Sequence, residues 1–349
     1  MTPKAMTVAT CYAAGDIRYE ETAVPEPGGD EVLVRVAYCG ICPSDFRVYD
    51  GRSSQKLPLI LGHEFTGWIA KVGANVSRLR VGDRVVVNPG QPCYTQCPAC
   101  LRGFPNKCMN IQTGGGGGGL GQYRLSKEGA IYPLKPATDM IAASFAEPLA
   151  CVLHGQGRAS IRAGSLVVVV GSGPIGLLHM MSAKRSGARV IMSEPHPERL
   201  ATAAKLGADF AVDPSKQDLA SIVRAESDGW GADAVIVAVG NKAATEAAVR
   251  LLGIQGTIVL FAGMYPNLPI EMDSNLIHYS EIYITGSSDY ADPEFFQSLG
   301  FIERGLVDTR KLVSHVLPFE RIVEGMEIVR QASSLKVVIQ VNRAQEDKS

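Results

Sequence analysis

Four of the eight cysteines lie close together in the sequence, where their thiolates could share one metal ion. Their spacing is Cys-x3-Cys-x2-Cys-x7-Cys, with prolines among them, at Cys93, Cys97, Cys100 and Cys108. Four thiolates complete a tetrahedral zinc site and stabilise a loop too short for a core of its own. Two disulfides are the alternative, but the first 18 residues lack the apolar segment of a secretory signal. The pattern therefore predicts a structural zinc site.

A second set of metal-binding residue types is scattered along the first half of the chain. Cys39 and Cys42 occur in CGIC, His63 and Glu64 in GHE, and Glu147 in AEPLAC. Each alone is weak evidence, because a GHE sequence is more often a surface turn than a pair of ligands. Together, cysteine, histidine and carboxylate form a three-ligand zinc site with one open position. We therefore also expect a catalytic zinc.

A glycine motif follows directly on the apolar run SLVVVV and opens a helix-like segment. This context is what distinguishes a G-x-G-x-x-G dinucleotide turn from a chance match. The first glycine permits the tight turn, the second lets a pyrophosphate approach the backbone, and the third allows close helix–strand packing. A bare turn without a ligand is the alternative. The motif runs through Gly171, Ser172, Gly173, Pro174, Ile175 and Gly176.

The acid that follows this motif indicates which dinucleotide binds. Glu194 ends the next predicted strand, eighteen positions after Gly176, close to the spacing expected for a carboxylate that binds a ribose diol. Such a carboxylate repels the 2′-phosphate of NADP and therefore favours NAD. The nearby basic residues His196 and Arg199 keep NADP as the alternative.

Two kinds of element must hold these residues in place. Up to about Ala150 the chain is rich in glycine, proline and short β-branched runs, which predicts an irregular, mostly β domain. From Gly164 onward, strands and helices alternate, which predicts a parallel sheet with right-handed crossovers. We place the first domain at 1–154, with 291–349 returning to it, and the second at 155–290.

Composition limits the choice of partner. The formal net charge is −1 and long Lys/Arg runs are absent, which argues against nucleic-acid or anionic-membrane binding. The most apolar run, Leu166 to Val170, is far too short to span a bilayer. We expect a cytoplasmic protein with a small-molecule partner. The glycine run Gly114 to Gly119 predicts a flexible loop, either on the surface or as a flap near the substrate.

The order of these motifs resembles that of the zinc-containing medium-chain dehydrogenases. CGICPSD, GHE, the four-cysteine loop, EP and GSGPIG follow one another as in that family, most like its sorbitol/polyol and threonine dehydrogenase branch. The resemblance extends from Val32 to about Val341. It implies an α/β fold with a GroES-like, mostly β catalytic domain and a Rossmann domain with a doubly wound parallel sheet. It also implies zinc- and NAD-linked oxidation of an alcohol by a homodimer or homotetramer.

The family match assigns roles at the catalytic site. Cys42, rather than Cys39, takes the position of the zinc ligand, and His63 is the second ligand. Glu64 and Glu147 match positions that bind the metal directly, through water, or alternately, and the sequence leaves this choice open. Cys39 is interpreted as a buried apolar residue.

Ser44 matches the hydroxyl that accepts the substrate's proton, and Asp45 matches an acid that orients the ligand histidine. Two positions depart from the family pattern. Three residues, instead of two, separate Cys93 from Cys97. Arg47 stands where many relatives have a histidine that relays the proton to solvent, and a guanidinium stays charged at neutral pH.

The substrate is less well specified by the residues. We expect a polyol, sugar alcohol or cyclitol that is oxidised at a secondary alcohol to a ketone. An amino alcohol, an aminocyclitol or a threonine-like substrate is the first alternative, and a non-catalytic, zinc-stabilised nucleotide-binding protein is the second. Arg47, Tyr49 and Tyr290 are candidates for lining the pocket. The strand-like EIYITGS segment could extend a sheet between subunits.

Overall fold

A computed structural model describes residues 2–90, 92–111, 117–331 and 334–343. The chain forms two compact units, one of Met1–Glu147 with Leu299–Ser349 and the other of Pro148–Ser298. Both boundaries fall inside helices, whereas the boundaries expected from the sequence are 154/155 and 290/291. Each of these two helices runs from one unit into the other, so no break in the sequence marks the boundary.

The first unit is mostly β, and its strands and helices are β1 (Ala5–Ala13), β2 (Asp16–Ala23), β3 (Glu31–Gly40), α1 (Pro43–Tyr49), β4 (Leu59–Ile60), β5 (Glu64–Val72), β6 (Arg84–Val87), α2 (Pro98–Leu101), β7 (Tyr123–Lys127), β8 (Ile131–Pro133), α3 (Met140–Ala143), the start of α4 (Ala146–Ala159), and, after the second unit, β15 (Val313–Pro318), α11 (Ile322–Arg330) and β16 (Lys336–Gln340). One sheet has the order β15-β16-β3-β5-β6-β8, with β7 also pairing to β3. A second sheet has the order β2-β1-β4. The core is built on β3, whose Val32, Val34 and Val36 are fully buried.

The second unit alternates strands and helices after the rest of α4: β9 (Leu166–Val170), α5 (Pro174–Arg185), β10 (Arg189–Ser193), α6 (Pro197–Lys205), β11 (Phe210–Val212), α7 (Leu219–Ala225), β12 (Ala232–Val237), α8 (Lys242–Ala248), β13 (Leu252–Leu260), α9 (Ser274–Tyr279), β14 (Tyr283–Gly286) and the start of α10 (Asp292–Glu303). Its six strands are parallel in the order β11-β10-β9-β12-β13-β14. Counted from β9 this order is 3-2-1-4-5-6, that of a Rossmann fold. The predicted parallel sheet is confirmed.

The turn between β9 and α5 depends on three glycines. Gly171 has φ +102°, a conformation that residues with a side chain rarely adopt. A Cβ atom on Gly176 would overlap the carbonyl oxygen of Gly171, whereas a Cβ on Gly173 would meet no heavy atom within 4 Å. The third glycine therefore permits close packing, and the second leaves open space beside the start of α5.

Only the end of the glycine run can be described. Gly114 to Gly116 lie outside the described residues, so the flap stays a prediction. Gly118 and Gly119 donate backbone hydrogen bonds of 3.1 Å and 2.9 Å to the carbonyls of Leu61 and Gly62. This part of the run is thus tied to the segment between β4 and β5. Within the described ranges, none of the helices is long and apolar enough to cross a membrane.

The glycine turn gives a prediction about stability. Gly176→Ala should destabilise the protein by about 2 kcal/mol or more, because the added methyl group meets backbone that must move. Gly157→Ala is the control: Gly157 lies within α4, and a Cβ there meets no heavy atom within 4 Å. Its effect should be neutral or stabilising by up to about 1 kcal/mol. Urea unfolding of both variants tests this, and equal midpoints would contradict the packing role of Gly176.

Candidate zinc and dinucleotide sites

The four-cysteine loop brings all of its thiols together. Their sulfur atoms lie within 4.8 Å of one another. The Sγ atoms of Cys93 and Cys100 are 3.8 Å apart, those of Cys108 and Cys93 3.5 Å, and those of Cys97 and Cys108 3.9 Å. Four sulfurs held about 2.3 Å from one zinc in a tetrahedron would be about 3.8 Å apart. The donor set therefore fits a zinc ion, and all eight cysteines of the chain are free thiols.

A local turn absorbs the extra residue in this loop. Tyr94 has φ +54°, and the backbone N–H of Thr95 donates to the Cys93 carbonyl at 2.6 Å. The backbone N–H of Cys93 then donates to the Cys108 sulfur at 3.2 Å, and Cys97 directly precedes α2. The departure from the family spacing therefore does not keep Cys93 away from the other three cysteines.

Backbone N–H groups favour the charged form of two of the thiols. Hydrogen bonds from the N–H groups of Cys100 and Met109 lower the pKa of Cys97 to about 6. Burial raises the pKa of Cys108, but the N–H groups of Cys93 and Asn110 lower it more, so the net shift is downward. Thiolates are the form that binds metal. Two of the four thiols are thus favoured as thiolates, whereas burial and the neighbouring thiols raise the pKa of Cys100 to about 12. A bound cation favours the thiolate form of all its ligands.

Three of the predicted catalytic ligands converge in the first unit. The ligand atoms of Cys42, His63 and Glu64 lie within 4.8 Å of one another. Cys42 caps the start of α1, and its sulfur accepts the backbone N–H of Ser44 at 3.5 Å. Glu64 begins β5 and directly follows His63. Ser44, half-buried in the first turn of α1, is held beside this cluster by its backbone.

Asp45 links the histidine to the loop that carries the cysteine. Its carboxylate lies 3.4 Å from the Nδ1 of His63 and accepts the backbone N–H groups of Cys42 and Gly62, each at 3.0 Å. Burial alone would raise the pKa of Asp45, but the charge of His63 and these hydrogen bonds lower it. A carboxylate on Nδ1 leaves Nε2 as the metal donor, which is how ligand histidines are usually oriented.

The charges at this cluster favour a cation. Burial lowers the pKa of His63, but the charges of Asp45 and Cys42 outweigh it and raise the pKa well above its usual range. Such a shift means that His63 lies in a strongly negative environment. One thiolate, one imidazole and a carboxylate form the donor set of a catalytic zinc, so these residues fit the metal.

At two residues, Glu147 and Lys336, this site differs from what the sequence predicts. Glu147 is not among the converging ligand atoms, although its charge acts on Lys336. Lys336, which was not among the residues predicted from the sequence, is buried and forms an ion pair with Glu64. The sequence feature that could have indicated it is a lysine at the start of the apolar strand KVVIQV. Cys39 lies outside the cluster, and burial raises the pKa of its thiol.

The pocket candidates have different surroundings. Tyr49 is buried, and its hydroxyl donates a hydrogen bond to Glu327 at 3.4 Å, which links α1 to α11. Arg47 is half-buried in the last turn of α1. Tyr290 stacks on Phe295 in the second unit, with 5.8 Å between ring centroids. The roles of these three residues in a substrate pocket stay predictions.

The predicted dinucleotide residues meet at the carboxyl ends of β9 and β10 in the parallel sheet. Glu194 directly follows β10 and is buried. Its two carboxylate oxygens accept the backbone N–H groups of Ser172, at 2.8 Å, and of His196, at 3.0 Å. Each oxygen retains a lone pair for a ribose hydroxyl. With the open space at Gly173, these residues fit a dinucleotide. Pro174, Ile175 and Gly176 form the first turn of α5, and Arg199 lies in α6.

Comparison with known proteins connects both units to one family. Residues 28–136 match the alcohol dehydrogenase GroES-like domain, and residues 174–304 match the zinc-binding dehydrogenase family. A D-arabitol-phosphate dehydrogenase from Enterococcus avium is 33% identical over 92% of this chain and 93% of its own. A sorbitol dehydrogenase from Bacillus subtilis (strain 168) is 32% identical over 98% of this chain and 99% of its own.

A solved structure shares the entire fold. A zinc-binding dehydrogenase from Sinorhizobium meliloti 1021, crystallised with NADP, superimposes with a TM-score of 0.91 at 28% identity, covering 97% of this chain and 100% of that one. The expected GroES-like domain and Rossmann domain are thus confirmed. The chain belongs to the zinc-containing medium-chain alcohol dehydrogenase superfamily, together with the sorbitol and polyol dehydrogenases, which are oxidoreductases that act on CH–OH groups.

Proposed function

We propose that this enzyme uses NAD to oxidise a secondary alcohol of a polyol, sugar alcohol or cyclitol to a ketone. The observation that carries the proposal is the convergence of Cys42, His63 and Glu64 next to Ser44. The names of the two relatives, a D-arabitol-phosphate dehydrogenase and a sorbitol dehydrogenase, support a hydroxyl-rich substrate. Membership of the family argues against a nucleotide-binding protein without catalytic activity.

In this proposal Cys42 and His63 hold the catalytic zinc, with Glu64 and Glu147 as the available carboxylates. When bound, zinc lowers the pKa of a hydroxyl group toward neutrality and the nicotinamide accepts a hydride. Ser44 takes the hydroxyl proton of the substrate, and Asp45 keeps His63 in the orientation that a ligand needs. Arg47 does not relay the proton onward, because its guanidinium stays protonated. A structural zinc is held by the four-cysteine loop.

NADH formation with a substrate panel tests the proposed reaction. The panel contains polyols, their phosphates, cyclitols, aminocyclitols and threonine, and each is offered to zinc-loaded protein. Cys42→Ser should abolish turnover by removing a ligand, and Ser44→Ala should lower kcat by about 10²- to 10⁴-fold by removing the proton acceptor. Ser54→Ala, at an exposed serine, is the control. Turnover of an aminocyclitol or threonine alone would replace the polyol assignment, and full activity of Cys42→Ser would refute the site.

The choice of NAD depends on Glu194. Glu194→Gln should weaken NAD binding by roughly tenfold, because hydrogen bonds to a charged acceptor are worth about 1.5–3 kcal/mol. The substitution should also reduce the preference of the protein for NAD over NADP. Glu198→Gln removes the same charge from an exposed position four residues away and should leave binding unchanged. Titrations with both dinucleotides measure this. The related structure from Sinorhizobium meliloti holds NADP, and tighter NADP binding by the unmodified protein would overturn the assignment.

We also propose a homodimer or homotetramer. Among the described residues β14 pairs with β13 alone, which leaves one strand edge unpaired. Large apolar side chains are exposed there, with Tyr283 60% and Ile284 42% exposed. An exposed, apolar edge strand pairs readily with another chain. Light scattering at micromolar concentration should give a multiple of 37.2 kDa, and Ile284→Lys should shift the mass toward the monomer. A monomeric unmodified protein would contradict the proposal.

A further inference from the structure

The ion pair of Glu64 and Lys336 is placed by the register of three strands. On β3, Gly40 pairs with Glu64 of β5 on one side and with Val338 of β16 on the other. Side chains alternate between the faces of a sheet, so Lys336, two residues before Val338, lies on the same face as Glu64. Gly40 lies between them and has no side chain.

The ion pair occupies the space that a side chain at position 40 would fill. A Cβ atom on Gly40 would overlap Glu64 Oε2 and lie 2.8 Å from Lys336 Cε. The Lys336 and Glu64 side chains are only 6% and 1% exposed, and the Lys336 ammonium also lies 5.8 Å from the ring centroid of Phe145. Glu64 Oε2 has no hydrogen bond of good geometry in the described structure, so Lys336 provides its charge compensation.

The Glu64 carboxylate lies where it can interact with two cations, a metal ion at the cluster and the ammonium group of Lys336. A carboxylate oxygen of Glu64 lies within 4.8 Å of the ligand atoms of Cys42 and His63, and Oε2 contacts Lys336. A metal ion and the ammonium group therefore compete for the same negative charge. The Cys42 thiolate and the Glu64 carboxylate together neutralise a divalent cation. Asp45, 3.4 Å from His63, adds a further negative charge, which Lys336 offsets.

We propose that Lys336 is a positioning residue that weakens the hold of Glu64 on the catalytic metal and so keeps one coordination position available to substrate. The inference rests on the proposed function, because it assumes a metal at Cys42 and His63. Lys336 does not touch the reacting atoms in this account. It acts through Glu64, and its effect depends on its fixed charge and on the gap that Gly40 leaves.

The direction of the effect separates this role from ordinary structural support. Lys336→Met keeps most of the side-chain length and removes the charge, so the site should bind zinc about tenfold or more tightly, a change of the size typical for residues behind metal ligands. At the same time kcat/KM should fall about tenfold, because Glu64 stays on the metal. Lys336→Arg should behave like the unmodified protein. Loss of packing alone would weaken zinc binding and activity together.

The experiment is an equilibrium competition for zinc between the fully loaded protein and a chelator, with kcat/KM measured on the same samples. Lys311→Met, at an exposed lysine, is the charge control. Lys336→Met introduced into a Glu64→Gln background removes both charges of the pair, which is tolerated better than leaving one buried charge alone. In that background the substitution of Lys336 should no longer tighten zinc binding. If it still does, or if the single variant binds zinc normally or more weakly, the inference is wrong.

Failure of the inference can be told apart from failure of the proposed function. If Cys42→Ser removes no zinc from the protein, the metal assignment and the proposed function fail together. If Cys42→Ser removes one zinc but Lys336→Met retains the affinity of the unmodified protein, only the role of Lys336 is refuted.

Discussion

Negative charge held away from water is the constraint on which both metal sites depend. Isolated buried carboxylates and thiolates are too costly unless cations or N–H groups compensate them. In the four-cysteine loop, backbone N–H groups of Met109 and Asn110 point at sulfur. At the second cluster, Asp45 is held by two backbone N–H groups and Glu64 by Lys336. A divalent cation completes this compensation in both places.

The two units position their site residues in different ways. In the first, antiparallel strands fix side chains by register, so a ligand at the start of β5 and a lysine at the start of β16 meet across one glycine. In the second, a glycine turn at the end of a buried strand places an open backbone surface beside a helix start and a buried acid. The first arrangement suits metal coordination, and the second suits a dinucleotide.

The sequence predicted what is local or carried by spacing. The four-cysteine loop, the Gly171–Gly176 turn and the alternating second unit could be recognised because their residues are neighbours in the chain. Lys336 could not be found this way, because it meets Glu64 only through the pairing of β16 and β5 with β3. The burial of Tyr49 could not be predicted for a similar reason: α1 is short, and its packing against α11 decides which side is buried.

X-ray absorption at the zinc edge of the fully loaded protein can show whether two zinc sites with different donors coexist in this chain. We expect a mixed set of zinc ligands, with sulfur at about 2.3 Å and nitrogen or oxygen at about 2.0–2.2 Å. Cys42→Ser should leave a sulfur-only shell and half the zinc. A sulfur-only shell in the unmodified protein would contradict the assignment of Cys42, His63 and Glu64 as a metal site.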